Sequence, residues 1–148
     1  MESSKAGRER FGEWLLSHGK AQFSFDAEIS NLTNRSRGGI RNELPAFDLW
    51  PNILPTLRLV EKVREKFGPV TINSAYRGPA YNRAIGGAAS SIHMKFQALD
   101  FYGSSGTPTL WADFLKTLRA DGMFKGGIGI YKNFVHVDTR GTNADWKG

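Results

Sequence analysis

Residues 127–138 read GIGIYKNFVHVD. The run splits into Gly127–Tyr131 and Phe134–Asp138, two β-prone segments separated only by Lys132 and Asn133, the length of a tight hairpin connection. Alternation sorts the second segment: Val135 and Val137 point to one face, while Phe134, His136 and Asp138 point to the other. One face is therefore apolar, and the other carries an imidazole beside a carboxylate.

Working outward, Gln97–Tyr102 reads as a further strand, with Ala98 and Asp100 on one face and Leu99 and Phe101 on the other. A carboxylate among such neighbours is costly to bury unpaired, and a cation relieves that cost. Val70–Asn73 is a short strand, followed by SAYRGPAYN (74–82), a loop with one turn of helix, and then by Gly86 and Gly87. Three segments have helical periodicity. Arg8–His18 places Phe11, Trp14, Leu15 and His18 on one side. Asn52–Phe67 repeats Ile53, Leu57, Val60, Val63 and Phe67, carries Pro55 in its first turn, and stops at Gly68-Pro69. Pro108–Ala120 has a stripe of Leu110, Trp111, Phe114, Leu115 and Leu118. Asn31–Leu44, rich in Asn, Ser, Arg and Gly, reads as loop, with Pro45 and Pro51 framing the next element. These pieces predict an α+β fold, helices packed on a small antiparallel sheet, in a single domain over 1–148.

Composition narrows the function. No cysteine occurs, which excludes a disulfide framework, a thiolate zinc finger and a cysteine nucleophile. No stretch is long and apolar enough to span a bilayer, and MESSKAGRERFGEWLL at the amino terminus lacks the apolar run of a secretory signal. The expectation is a soluble protein, made without such a signal or already shorn of one. A net charge of +6 favours anionic partners such as nucleic acid, acidic wall polymers or a membrane surface. The basic residues are spread along the chain and no nucleic-acid motif is present, so no specific nucleic-acid partner is expected.

His93, Asp100 and His136 are spaced so that together they could hold zinc with one coordination position open. Structural zinc sites close four positions with protein ligands, whereas hydrolytic sites keep one for water or substrate. Each residue alone has a plainer explanation, a hydrogen-bonded histidine or an aspartate paired with an arginine. Asp138 shares the face of His136, where it could orient a metal-bound imidazole or face a metal-bound water.

The surrounding pattern is S-x-Y-R at Ser74, Tyr76 and Arg77, Y-N at Tyr81 and Asn82, G-G-A at Gly86 to Ala88, S-x-H at Ser91 and His93, A-x-D at Ala98 and Asp100, and H-V-D at His136 to Asp138. It resembles the M15 family of zinc peptidases, nearest to its D-alanyl-D-alanine carboxypeptidase and murein endopeptidase branches, which include phage and bacterial cell-wall enzymes. The likeness runs from about Phe23 to Trp146. It implies a small α+β domain of the hedgehog and D,D-peptidase kind, with a central antiparallel sheet bearing Zn2+. It further implies that His93, Asp100 and His136 bind the zinc, that Arg77 helps bind substrate, and that Tyr81 and Asn82 line the groove, with Tyr76 either in the groove or in the core and with Ser91 orienting His93. The implied reaction is hydrolysis of peptidoglycan peptides by a metal-activated water, at the bacterial cell wall, from a phage virion or together with lysis proteins.

Three departures qualify the likeness. Many relatives carry a carboxylate three residues before the last metal histidine, and Asn133 stands there. The proton-accepting role then passes to Asp138, which could equally be an orienting group, with Asp145 as a distant second choice. Phe96 replaces a glycine common in relatives, and Asp145 precedes Trp146 where an arginine is often found. Asn133 also leaves open a module that binds metal or cell wall with weakened catalysis, for example a phage tail component.

Overall fold

The computed structural model describes residues 5–18, 32 and 35–148. Its elements are α1 (Lys5–Ser17), β1 (Ser36–Arg37), β2 (Ile40–Arg41), a 3-10 turn (Phe47–Ile53), α2 (Leu54–Phe67), β3 (Val70–Ser74), α3 (Pro79–Ala84), a second 3-10 turn (Ile92–Lys95), β4 (Ala98–Gly103), α4 (Pro108–Ala120), β5 (Gly127–Ile130), β6 (Val135–Asp138) and β7 (Ala144–Lys147). The α+β class is as expected. Five strands form one sheet in the order β3-β4-β6-β5-β7, and β1 and β2 form a separate hairpin. All pairings in the large sheet are antiparallel except the last, where β7 lies parallel to β5. Of the loop expected over Asn31–Leu44, positions 31, 33 and 34 fall outside the described residues, as do 23–31 at the start of the family likeness.

Alternation sets the two faces of the sheet. Leu99 pairs with Val137 and Phe101 with Val135, and Ile128 follows on β5; all five are buried in the core. Helix α2 adds Leu57, Val60 and Val63 to that core, and α4 adds Trp111 and Leu115. Phe11 and Leu15, four residues apart on α1, are also fully buried there. Helix α2 begins two residues later than its periodicity predicts. Pro51 lies inside the preceding 3-10 turn and Pro55 in the first turn of α2. Pro55 has no N–H to donate to the carbonyl of Pro51, and its ring crowds that carbonyl, so the regular α pattern starts at Leu54.

On the opposite face, Ser74, Asp100, His136, Gly129 and Trp146 are successive cross-strand partners over all five strands. Ser74 joins this row through a bulge, because Ile72 pairs with Phe101 while Ser74, not Asn73, pairs with Asp100. The extra residue turns the Ser74 side of β3 towards the row, as bulges beside functional sites commonly do.

The turn carrying His93 was not legible as a 3-10 element. The Ser91 hydroxyl caps it, accepting the His93 backbone N–H at 3.2 Å. Phe96 ends it with φ 56, in the left-handed region where a bulky side chain is strained. A glycine would be unstrained there. Phe96 is nonetheless fully buried against Phe11 and Tyr76, at ring separations of 5.8 and 6.1 Å. Removing such a ring costs about 3–5 kcal/mol, whereas relief of the backbone returns about 1–2 kcal/mol. Phe96→Gly is therefore expected to be destabilised in urea unfolding by about 2 kcal/mol. Phe96→Ala, which keeps a Cβ in the strained position, should be less stable still.

Candidate metal centre

His93 and His136 approach Asp100 from two directions. His93 Nε2 lies 3.2 Å from Asp100 Oδ1, and His136 Nδ1 lies 2.9 Å from the same oxygen. The remaining ring nitrogens are engaged behind. His93 Nδ1 donates to the Ala75 carbonyl at 2.7 Å, and His136 Nε2 donates to Asp138 Oδ2 at 2.7 Å. With their N–H groups used in this way, neutral imidazoles direct two lone pairs at an anionic oxygen. Three donor atoms then converge within 4.8 Å of one another with nothing but negative or lone-pair character between them. A cation resolves that arrangement. Two imidazole nitrogens and one carboxylate oxygen are a donor set suited to zinc, with a position left for water or substrate.

Burial and polarity agree. His93, Asp100 and His136 are 3%, 6% and 7% exposed. Without a cation the same nitrogens can take up protons instead: burial by itself pushes the Asp100 carboxyl up, but the charge and hydrogen bonds of imidazoles protonated towards it outweigh that and hold the group far below the usual carboxylate range. His136 is pulled down by burial and raised more strongly by its hydrogen bonds to Asp100 and Asp138, so its net shift is upward.

Asp138 has no exposure at all. Its Oδ2 accepts from His136 and from Arg140 NH2, each at 2.7 Å. Its Oδ1 accepts from the Gly127 N–H at 2.9 Å, the Arg140 N–H at 3.1 Å and Arg140 Nε at 2.9 Å. Burial raises this carboxyl, and the donated hydrogen bonds from His136, Arg140 and Gly127 more than offset it, leaving it well below its ordinary value. The carboxylate is saturated with donors and faces the back of the His136 ring.

Arg77 lies beside Asp100, with NH2 3.7 Å from Asp100 Oδ2. Two side chains aim it: its Nε donates to Ser74 Oγ at 3.3 Å, and NH1 donates to Asn82 Oδ1 at 3.3 Å. Asn82 is buried and ties down the following loop by donating to the Ala88 carbonyl at 2.8 Å. Gly87 crosses this pair closely. A Cβ there would collide with Asn82 Oδ1 and stand 3.1 Å from Arg77 NH1. Gly87→Ala is expected to displace the guanidinium and lower kcat/KM by about 10–100-fold, because small misplacements of positioned groups are costly. Steady-state kinetics beside an unfolding curve check this.

A cleft of about 480 Å3 opens over the centre, lined by Arg77, Ser91, His93, Asp100 and His136 and by four residues to which the sequence assigned no site role: Tyr131, Phe134, Arg140 and Trp146. Trp146 lies across β5 with its ring 5.0 Å from His136 and the Arg140 guanidinium 5.3 Å from it. The glycines of GIGI explain how it fits. A Cβ at Gly129 would be 2.5 Å from the indole, and one at Gly127 would be 2.9 Å away. Glycine at alternate positions of β5, all on the site face, was the sequence signal for a flat ring on that strand.

The other expected residues lie elsewhere. Tyr76 is buried in the core, edge-on to Phe96, rather than in the cleft, and burial and the nearby Glu43 raise its phenol pKa. Tyr81 and Asn82 are on α3 and do not line the cleft; Asn82 acts on it through Arg77. Asn133 is exposed in the turn between β5 and β6. Asp145 pairs with Ile128, so it faces away from Trp146, and Arg119 of α4 clamps it at 2.7 and 3.0 Å. That removes Asp145 as a proton acceptor.

A family model described as Peptidase M15 matches residues 22–138. No curated protein matches the chain. The matched segment contains His93, Asp100, His136 and Asp138 and takes in most of the chain. Peptidases of this family are generally zinc-dependent, in keeping with the buried donor set. The match over most of the chain, with the convergent imidazoles and carboxylate inside the matched segment, places this chain in the Peptidase M15 family, a family of peptidases.

Proposed function

We propose that the protein is a zinc-dependent peptidase that hydrolyses peptide bonds in the stem peptides or cross-links of peptidoglycan. The observation that carries this reading is the meeting of His93 Nε2, Asp100 Oδ1 and His136 Nδ1 at the floor of an open cleft. Zinc held there supplies a polarised carbonyl and a water acidic enough to attack near neutral pH. The chain's own residues do the rest. Arg77 presents a planar fork towards a carboxylate or a developing oxyanion, aimed by Ser74 and Asn82. Asp138 fixes the tautomer and orientation of His136, a role that its saturated carboxylate serves better than proton transfer. The net charge of +6 suits an anionic wall. Among the described residues no helix is long and apolar enough to cross a membrane. Action at the bacterial cell wall, from a phage virion or beside lysis proteins, completes the proposal.

One observation favours a second reading. Asp100 is the only carboxylate among the described residues lining the cleft, and Asn133 offers none. A metal-binding wall module with weakened turnover fits that inventory. Release of amino groups from purified peptidoglycan, with zinc present, separates the two. The peptidase reading expects release by the wild-type protein and none by His136→Ala, and equal release by both would sink it.

A further inference from the structure

Tyr131 follows β5 at the edge of the cleft. Its ring is stacked on Phe134, with centroids 4.4 Å apart and planes 6° from parallel, and its backbone N–H donates to the Phe134 carbonyl at 3.0 Å. The phenol oxygen accepts the Trp146 indole N–H at 2.9 Å. An indole can only donate, so the hydrogen of the phenol itself is not used in that bond. Among the described residues no second partner takes it. Trp146 is fixed in turn, by the glycine floor of β5, by the His136 ring and by Arg140. The result is a neutral O–H donor, held at a defined place by stacking on one side and an indole on the other, unused within the protein and set in the same cleft as His93, Asp100 and His136.

We propose that Tyr131 is a substrate-orienting residue whose hydroxyl donates a hydrogen bond to a backbone carbonyl oxygen of the bound peptide, with Trp146 as the positioning residue that aims it. The inference rests on the peptidase reading. A neutral donor matches a neutral acceptor, and Arg77 already supplies the cleft with a charged fork for anionic groups. The indole bond also polarises the phenol, since chained hydrogen bonds strengthen one another.

The test uses a cross-linked muropeptide dimer, which carries stem and cross-link bonds together, with the wild-type protein, Tyr131→Phe and Trp146→Phe. KM and kcat are measured on the zinc-loaded protein, and calorimetric Kd on the metal-stripped protein. Tyr131→Phe should raise both KM and Kd about three- to tenfold, the net worth of one hydrogen bond. Its kcat should stay within about twofold, and its melting temperature should fall by no more than about 2–4 °C, since the phenol oxygen that accepts the Trp146 indole N–H is lost together with the unused O–H. Trp146→Phe keeps a ring near His136 but removes the N–H, and should shift KM in the same direction. Unchanged KM and Kd in Tyr131→Phe overturn the assignment while leaving the peptidase reading intact. Wild-type protein that binds the dimer without cleaving it defeats the peptidase reading, and the Kd ratio still decides Tyr131. Absence of both binding and cleavage overturns both.

Discussion

His136→Ala is expected to lower kcat/KM on muropeptides by on the order of 10^3-fold or more, because a metal centre contributes several kcal/mol of transition-state stabilisation. The reason lies in how few atoms hold the site. His136 Nδ1 is one of three donors that converge within 4.8 Å, and the other two come from a 3-10 turn and from the neighbouring strand. With the imidazole gone, Asp100 Oδ1 keeps only His93 as a close ring partner. Asp138 and Arg140 remain paired with each other, so the sheet behind the site keeps its ion pair and the fold should persist. Loss of turnover together with a normal far-ultraviolet circular dichroism spectrum is the expected result. Retention of more than about a tenth of wild-type turnover would correspond to less than about 1.4 kcal/mol and is incompatible with a ligand role.

Asp138→Asn should weaken zinc binding by about 10–100-fold, the usual cost of disturbing a group that orients a metal-bound histidine. Asp138 accepts from five directions, and an amide can accept through only one of its two ends. If the amide oxygen keeps the Gly127 and Arg140 donors of Oδ1, its NH2 faces the His136 Nε2–H and the Arg140 NH2. His136 then gains by moving its proton to Nδ1, the nitrogen that faces Asp100. That tautomer has no lone pair for a metal. The change also leaves Arg140, part-buried at the edge of the cleft, without its carboxylate, and the loss of a hydrogen bond between charged groups costs about 1.5–3 kcal/mol. Its pH dependence has a definite sign. A carboxyl whose folded pKa is depressed below its ordinary 3.8 stabilises the fold fully above that value, and the contribution is lost as pH falls towards the folded pKa. In metal-free protein, the difference in unfolding free energy between wild type and Asp138→Asn should therefore be largest near neutrality and shrink below about pH 4. Turnover lost with zinc affinity and stability unchanged would instead make Asp138 the proton acceptor.

Strand parity carried most of what was legible in the sequence. The placement of His136 and Asp138 on one face of β6, and of Asp100 opposite Leu99 and Phe101, follows from a period of two and a two-residue connection. Three features did not follow. The bulge between Ile72 and Ser74 shifts register by one residue, and nothing in VTINS marks it. The turn holding His93 depends on a single Ser91 hydroxyl and on a phenylalanine in a conformation its side chain disfavours, so local propensity argued against it. Strand β7 has one large apolar residue in four and pairs parallel to its neighbour, so neither hydrophobic run nor hairpin signal announced it. That omission hid Trp146, and with it Tyr131 and Arg140, which gain their meaning only once β7 lies beside β5. Tyr76 was undecided for a related reason: an aromatic next to Arg77 reads equally as groove or core, and only the turn after β3 directs it into the core against Phe96.

Zinc stoichiometry after dialysis against zinc and then metal-free buffer, with wild-type protein and Asp100→Ala side by side, tests the convergence of His93, Asp100 and His136 most directly. One equivalent retained by the wild-type protein and none by Asp100→Ala is the expected result. No retention by the wild-type protein, or equal retention by both, would contradict it.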